Sequence, residues 1–176
     1  MANTWTWDKL NRNSARLNPN VRGDNSRYTP KFEMRGVIPY KGTKSCLITL
    51  AAYGVTQKTM HAVSILFEDV EILNEAPDSN KARYYFKVEY KKETYWVKKF
   101  DKYRNPIRQR CSCRDYYFTW AWDNYHIAHI LYGPAPRPYQ RKTSWMPPRN
   151  PNHIIGFCKH IHNAWAFLKL KGFTLN

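Results

Sequence analysis

The chain is 176 residues long and carries 29 Lys and Arg against 13 Asp and Glu, a net charge of +16. With 43% hydrophobic and 16% aromatic residues it holds enough apolar mass for one real core, which excludes a wholly disordered chain. Its longest apolar runs fall far short of the roughly 20 residues a membrane-spanning helix needs, and the opening MANTWTWDKLNRN lacks a signal-peptide layout. Neither a membrane span nor secretion by that route is therefore expected, and no membrane partner is assigned.

A surface this basic is either solvated or opposed by an anionic partner: nucleic acid, anionic lipid or the acidic face of another protein. The cations are spread from Arg12 to Arg149 with no block of five or six, so charge alone does not choose among these.

Residues 1–44 read as an extended N-terminal arm. The segment is rich in Asn, Arg and turn formers, holds Pro19, Pro30 and Pro39, and shows no sustained period of 2 or 3.6. Trp5, Trp7, Leu10, Leu17, Tyr28 and Phe32 are apolar anchors that a solvated tail would not need, so the arm is expected to lie on its own domain or on a neighbour.

Residues 45–176 read as a single α+β domain. SCLITLAAYGV is a short β-branched run. In MHAVSILFEDVEIL, His61, Val63, Ile65 and Phe67 alternate with Met60, Ala62, Ser64 and Leu66. NEAPDSNK is a loop by composition, and Tyr84–Tyr90 and Thr94–Lys98 flank Lys91-Lys92-Glu93 as a hairpin. These strands predict a small antiparallel β-meander or half-barrel. Phe118, Ala121, Trp122, Tyr125, Ala128, His129 and Tyr132 fall at spacings of 3 and 4, which predicts an amphipathic helix ending at Gly133. The loop 133–152 holds six of the eleven prolines together with Arg137, Arg141, Lys142 and Arg149. In KHIHNAWAFLKLKG, the face Ile161, Ala164, Trp165 and Leu168, the terminal Lys169 and Lys171 and the cap Gly172 predict a C-terminal helix.

One constellation carries chemistry. Cys111-Ser112-Cys113 and Cys158-Lys159-His160 are two-ligand clips that together supply three thiolates and an imidazole, a complete shell for a structural zinc ion. In an extended segment Cys111 and Cys113 point to one side and Ser112 to the other. Cys158 and His160 cannot share one face of a regular helix, so Cys158 belongs just ahead of the C-terminal helix and His160 in its first turn, with Gly156 giving turn freedom. Arg110, Arg114 and Lys159 flank the donors and would offset their charge. Iron–sulfur ligation, redox chemistry and ordinary buried cysteines are the alternatives. Cys46, in SCLITL, reads as a packed core thiol.

CSC followed by CKHI resembles the SWIM-type zinc motif, a CxC clip joined to a CxH clip that opens a helix. That resemblance puts the metal on Cys111, Cys113, Cys158 and His160. The longer stretch from RCSCRDYYFTW through PRPYQRKTSWMPPRNPN to GFCKHIHNAW is similar to virion proteins of tailed bacteriophages, in which a SWIM-like site supports a small part of the tail, baseplate or neck. It implies a structural virion protein, assembled in the host cytoplasm, that fastens neighbouring subunits in a symmetric multi-copy assembly through its arm and Pro-rich loop.

A SWIM-type zinc module that binds nucleic acid is the second reading, which the charge permits. The third is an enzyme built on Asp115, Asp123, His126, His129 and His153. A closed four-ligand zinc leaves no coordination position for a substrate, and no phosphate-cradling glycine loop, HExxH or GxSxG is present, so catalysis is not expected. His162 reads as a surface or supporting residue.

Overall fold

Pairing begins with the first strand the sequence allows. Lys31–Tyr40 (β1) and Ser45–Tyr53 (β2) form an antiparallel hairpin, Lys31 opposite Tyr53 and Tyr40 opposite Ser45. The computed structural model describes residues 4–17, 31–54, 59–137 and 150–175. Within them β2 also pairs with Met60–Phe67 (β3), and β3 pairs with Ile107–Cys111 (β7), so the first sheet runs β1-β2-β3-β7. Central β2 is buried at nearly every position, as its unbroken apolar run demands. β3 buries Val63, Ile65 and Phe67, in keeping with its alternation.

A second sheet runs Ile72–Leu73 (β4), Glu93–Lys98 (β6), Tyr85–Tyr90 (β5), so the strands form two antiparallel sheets where the sequence suggested one meander. The β5–β6 hairpin closes on Lys91 and Lys92, both at positive φ (50° and 67°), the backbone of a mirror-image turn whose twist suits paired strands. Phe100 joins the two sheets. It stacks on Phe67 with ring centroids 3.8 Å apart, and Phe86 meets it edge-on at 5.5 Å.

The described residues of the expected arm, 4–17 and 31–44, are part of this body. Trp7–Leu17 forms a helix (α1) with Trp7, Leu10 and Ser14 buried on one face, and β1 is a full strand. A boundary at residue 44 would cut the β1–β2 connection, where Lys44 sits at φ 49°. Two features hid these elements. The inner face of α1 contains a serine whose hydroxyl donates to the Leu10 carbonyl (2.7 Å) and accepts from the Phe157 amide (2.8 Å), so it is polar in sequence yet fully buried. In β1 the register shifts between Met34 and Gly36, which moves the inward set from even to odd positions and erases the period of 2. Of the anchors, Trp7 and Leu10 are in the core and Trp5, Leu17 and Phe32 pack against it; Tyr28 lies outside the described residues.

The single helix expected before Gly133 is two: Arg114–Thr119 (α2) and Ala121–His126 (α3), bent at Trp120. The bend drives the Trp120 ring inward, where it is 2% exposed, and leaves Trp122 43% exposed, so the buried face differs from the expected one. The chain then turns back, and Ile130–Tyr132 bonds along β7 through Gln109. The C-terminal helix is Lys159–Leu170 (α4), with Ile161, Ala164 and Leu168 buried and Trp165 against the core. Gly172, at φ 76°, ends it by donating to the Lys169 carbonyl, as its sequence position implied. Among the described residues no helix is long and apolar enough to cross a membrane.

Candidate metal centre

The last residue of β7, the first turns of α2 and α4, and the turn ahead of each helix converge on one buried point. Cys111 ends β7. Cys113 is the N-cap of α2, and its sulfur accepts the Tyr116 amide at 3.2 Å. Cys158 is the N-cap of α4 in extended conformation, and His160 lies in that helix's first turn, the placement expected from the clip's spacing. The donor atoms of Cys111, Cys113, Cys158 and His160 lie within 4.8 Å of one another, and all four residues are buried. His160 Nδ1 is 3.8 Å from Cys111 Sγ and 4.0 Å from Cys158 Sγ. Zinc bonds of about 2.3 Å to sulfur and about 2.0 Å to nitrogen in a tetrahedron put ligand atoms roughly 3.5–3.8 Å apart, so the cluster could close on one ion with small side-chain adjustments. All four cysteines of the chain are free, so no disulfide competes for these sulfurs.

The electrostatics of the cluster are those of a site short of positive charge. Hydrogen bonds from the Cys111 and Cys158 thiols, then from His160 and the Tyr116 amide, hold Cys113 far below the usual thiol range. Its thiolate in turn raises Cys111, and burial raises Cys158. Burial and mutual repulsion oppose three adjacent thiolates; a divalent cation would supply the charge that lets all three ionise.

The backbone holds the clips in register from outside. Ser112 turns away from the cluster and pairs with β3, donating its amide to the Ala62 carbonyl and accepting the Ala62 amide on Oγ, both at 2.9 Å. Behind Cys158, the Gly156 carbonyl accepts from Asn124 Nδ2 (2.8 Å) and Gln109 Nε2 (3.0 Å), and its amide donates to Asn124 Oδ1. Tyr116, three residues past Cys113, donates its hydroxyl to the Gln109 carbonyl at 2.9 Å, so both clips hang from one buried network. Gly156 is required for space, not for turn freedom: a Cβ there would lie 2.6 Å from Ser14 Oγ and 2.6 Å from the Trp120 ring. Sequence reasoning missed this network and the His61 ring, which rests on His160 at 4.7 Å. The alternation that put His61 on the Val63 face of β3 was its one available signal.

The other residues singled out in the sequence separate from the cluster. Arg110 points to the opposite side of β7 and donates to the Tyr132 and Pro134 carbonyls, so it braces the returning loop and does not face the sulfurs. Arg114 and Lys159 are exposed. Cys46 is fully buried, with burial pushing its thiol up to about 12, as a core thiol should be. His162 Nδ1 sits 2.9 Å from Asn11 Oδ1 and ties α4 to α1. Of the residues weighed for catalysis, the structure brings together buried Asp123 and exposed His153, at 2.9 Å, with Asn150 donating to the same carboxylate. The His126 ring lies tilted against Trp122, centroids 4.0 Å apart, His129 is exposed, and Asp115 accepts the Thr119 hydroxyl. Arg141, Lys142 and Arg149 of the Pro-rich loop lie outside the described residues.

Comparison of the chain with protein-family models, curated proteins and solved structures finds no match in any of the three.

Proposed function

We propose that the chain is a non-catalytic structural protein whose two Cys/His clips are pinned by one zinc ion, and that it serves as a fastening component of a tailed-phage virion. The buried convergence of Cys111, Cys113, Cys158 and His160 carries the first half. Three sulfurs and one imidazole nitrogen are a common structural zinc set, and the nitrogen disfavours the all-thiolate iron–sulfur alternative. With four protein donors in place no position remains for a substrate, so the centre supplies rigidity and not chemistry. The virion half rests on the resemblance of residues 110–165 to phage structural proteins, and a cationic surface on which Tyr40, Tyr84, Tyr103 and Trp122 are exposed is in keeping with subunit contacts.

Elemental analysis of the purified protein tests the centre, with one zinc per chain expected and none in Cys158→Ser. A melting curve and near-UV spectrum unchanged after metal removal would defeat the structural role. Mass spectrometry of purified particles tests the assembly role, with recovery at a fixed copy number expected; absence from particles defeats it.

A further inference from the structure

The outward side of α1 is cationic. While Trp7, Leu10 and Ser14 face the core, Lys9, Arg12 and Arg16 form a row along the opposite side. With Trp5 and Asn13 they line a concave groove of about 440 Å³. From residue 9 to residue 16 the helix rises about 10 Å, the span of two or three successive phosphates of a nucleic-acid strand. Among the described residues the row meets one carboxylate, Asp8, which is 2.8 Å from Arg12; Lys9 donates to the Thr4 carbonyl. Trp5 is half-buried and packs against the core, and its backbone carbonyl accepts the Ile107 amide, so its ring is a fixed wall of the groove.

A neighbouring loop extends the surface. The Asp8 amide donates to the Lys102 carbonyl at 3.0 Å, which seats residues 101–106 beside the start of α1. There Tyr103 is 61% exposed with Lys102 Nζ 4.8 Å above its ring, and the Arg104 side chain is 87% exposed, 3.7 Å from Asp101.

We propose that this face binds single-stranded nucleic acid, with backbone phosphates along Lys9, Arg12 and Arg16 and a base against Trp5. Spaced cations answer a phosphate chain, and an aromatic wall answers the flat base between phosphates. An acidic protein surface would satisfy the cations and leave the indole unused; a duplex keeps its bases stacked away from Trp5. The proposal is independent of the metal centre, since none of its residues belongs to the clips.

The test is fluorescence anisotropy of the full, metal-loaded chain with a labelled mixed-sequence 12-nucleotide single strand, titrated across salt concentrations. Three phosphate contacts give a log–log salt slope near −2. Lys9→Gln/Arg12→Gln/Arg16→Gln should flatten the slope and weaken binding about 100-fold at 0.1 M salt. Lys41→Gln/Lys81→Gln/Lys87→Gln removes equal charge elsewhere and should leave the affinity within a few-fold, with unchanged melting of both variants confirming the fold. Equal weakening by both triples would reduce the effect to net charge and overturn the proposal. So would absent binding, tighter binding of the matching duplex, or equal affinity for poly-glutamate.

Discussion

Two ends of the molecule are held together by opposite means. Around Phe67 and Phe100 the two sheets meet mainly through packed apolar side chains, with the T-shaped Phe86–Phe173 pair at 4.5 Å beside the stack. Around Gly156 the contacts are directional: Ser14, Gln109, Tyr116 and Asn124 spend their hydrogen bonds on a few backbone groups, and the Cys/His cluster sits immediately beyond. Ring contacts are individually small and non-directional, whereas a buried hydrogen bond that loses one partner leaves the other group unpaired. The aromatic end should therefore lose stability gradually and the metal end all at once.

The largest expected effect is removal of the ion or its ligand. Structural zinc contributes an apparent 10–16 kcal/mol in small zinc-binding peptides, comparable with the whole net stability of a domain. Cys158→Ser or a strong chelator should strip exchange protection from α2 and α4 first, while amides of β2 and β3, which pair with each other independently of the clips, open later. Hydrogen exchange with and without chelator checks the order. Simultaneous loss across all four elements would show that the two ends are one cooperative unit.

Phe100→Ala should come next, at about 3–5 kcal/mol, because it empties a fully buried site that both sheets share. The sharper expectation is what it spares: zinc stoichiometry by elemental analysis should remain that of the unaltered chain. Gly156→Ala reverses that pattern. It should cost about 1–3 kcal/mol by overpacking against Ser14 and Trp120, yet weaken metal retention in a competition titration, because the displaced segment carries Cys158 two residues on. Ser14→Gly removes one of the two clashes, so the double variant should lose less than the sum of the singles in urea unfolding.

The metal end was the more legible in sequence. Its donors are chemically distinctive and locally spaced, and α4 carries its cap, face and terminator within a dozen residues, so the placement of Cys158 and His160 follows from helix geometry alone. The supporting network was not legible, because Ser14, Gln109, Asn124 and Gly156 are far apart in the chain and polar residues carry no periodic signal of burial. At the aromatic end the strands of the β5–β6 hairpin could be read, but not the division into two sheets, which depends on where β4 and β7 pair. The N-terminal helix and β1 were obscured by one buried serine and one bulge. Both are places where tertiary contacts outweigh local pattern.

The smallest effect lies at the rim of the second sheet. The Glu71 carboxylate, just ahead of β4, accepts from Lys98 Nζ at 2.9 Å and from the Tyr85 hydroxyl, and these bonds hold it below the usual carboxylate range. Tyr85, pushed up to about 12 by burial first and by Glu71 second, is the partner across the sheet. A carboxylate lowered in the folded state stabilises above its unfolded value near 4.3, and that contribution disappears as pH falls through the folded value. A tyrosine raised in the folded state acts in the other direction, its contribution intact below about 10 and lost as pH rises toward 12. Because Glu71 and Lys98 are about half exposed, with side-chain accessibilities of 47% and 48%, the pair contributes no more than about 0.5–1 kcal/mol. Urea midpoints of the native chain and Glu71→Gln should differ by that amount at pH 7, and the difference should shrink as pH falls below the unfolded value and vanish once the folded carboxylate is protonated. A difference that does not shrink at all with acidification would place the contribution in packing, making this rim an extension of the apolar end and not a polar device of its own.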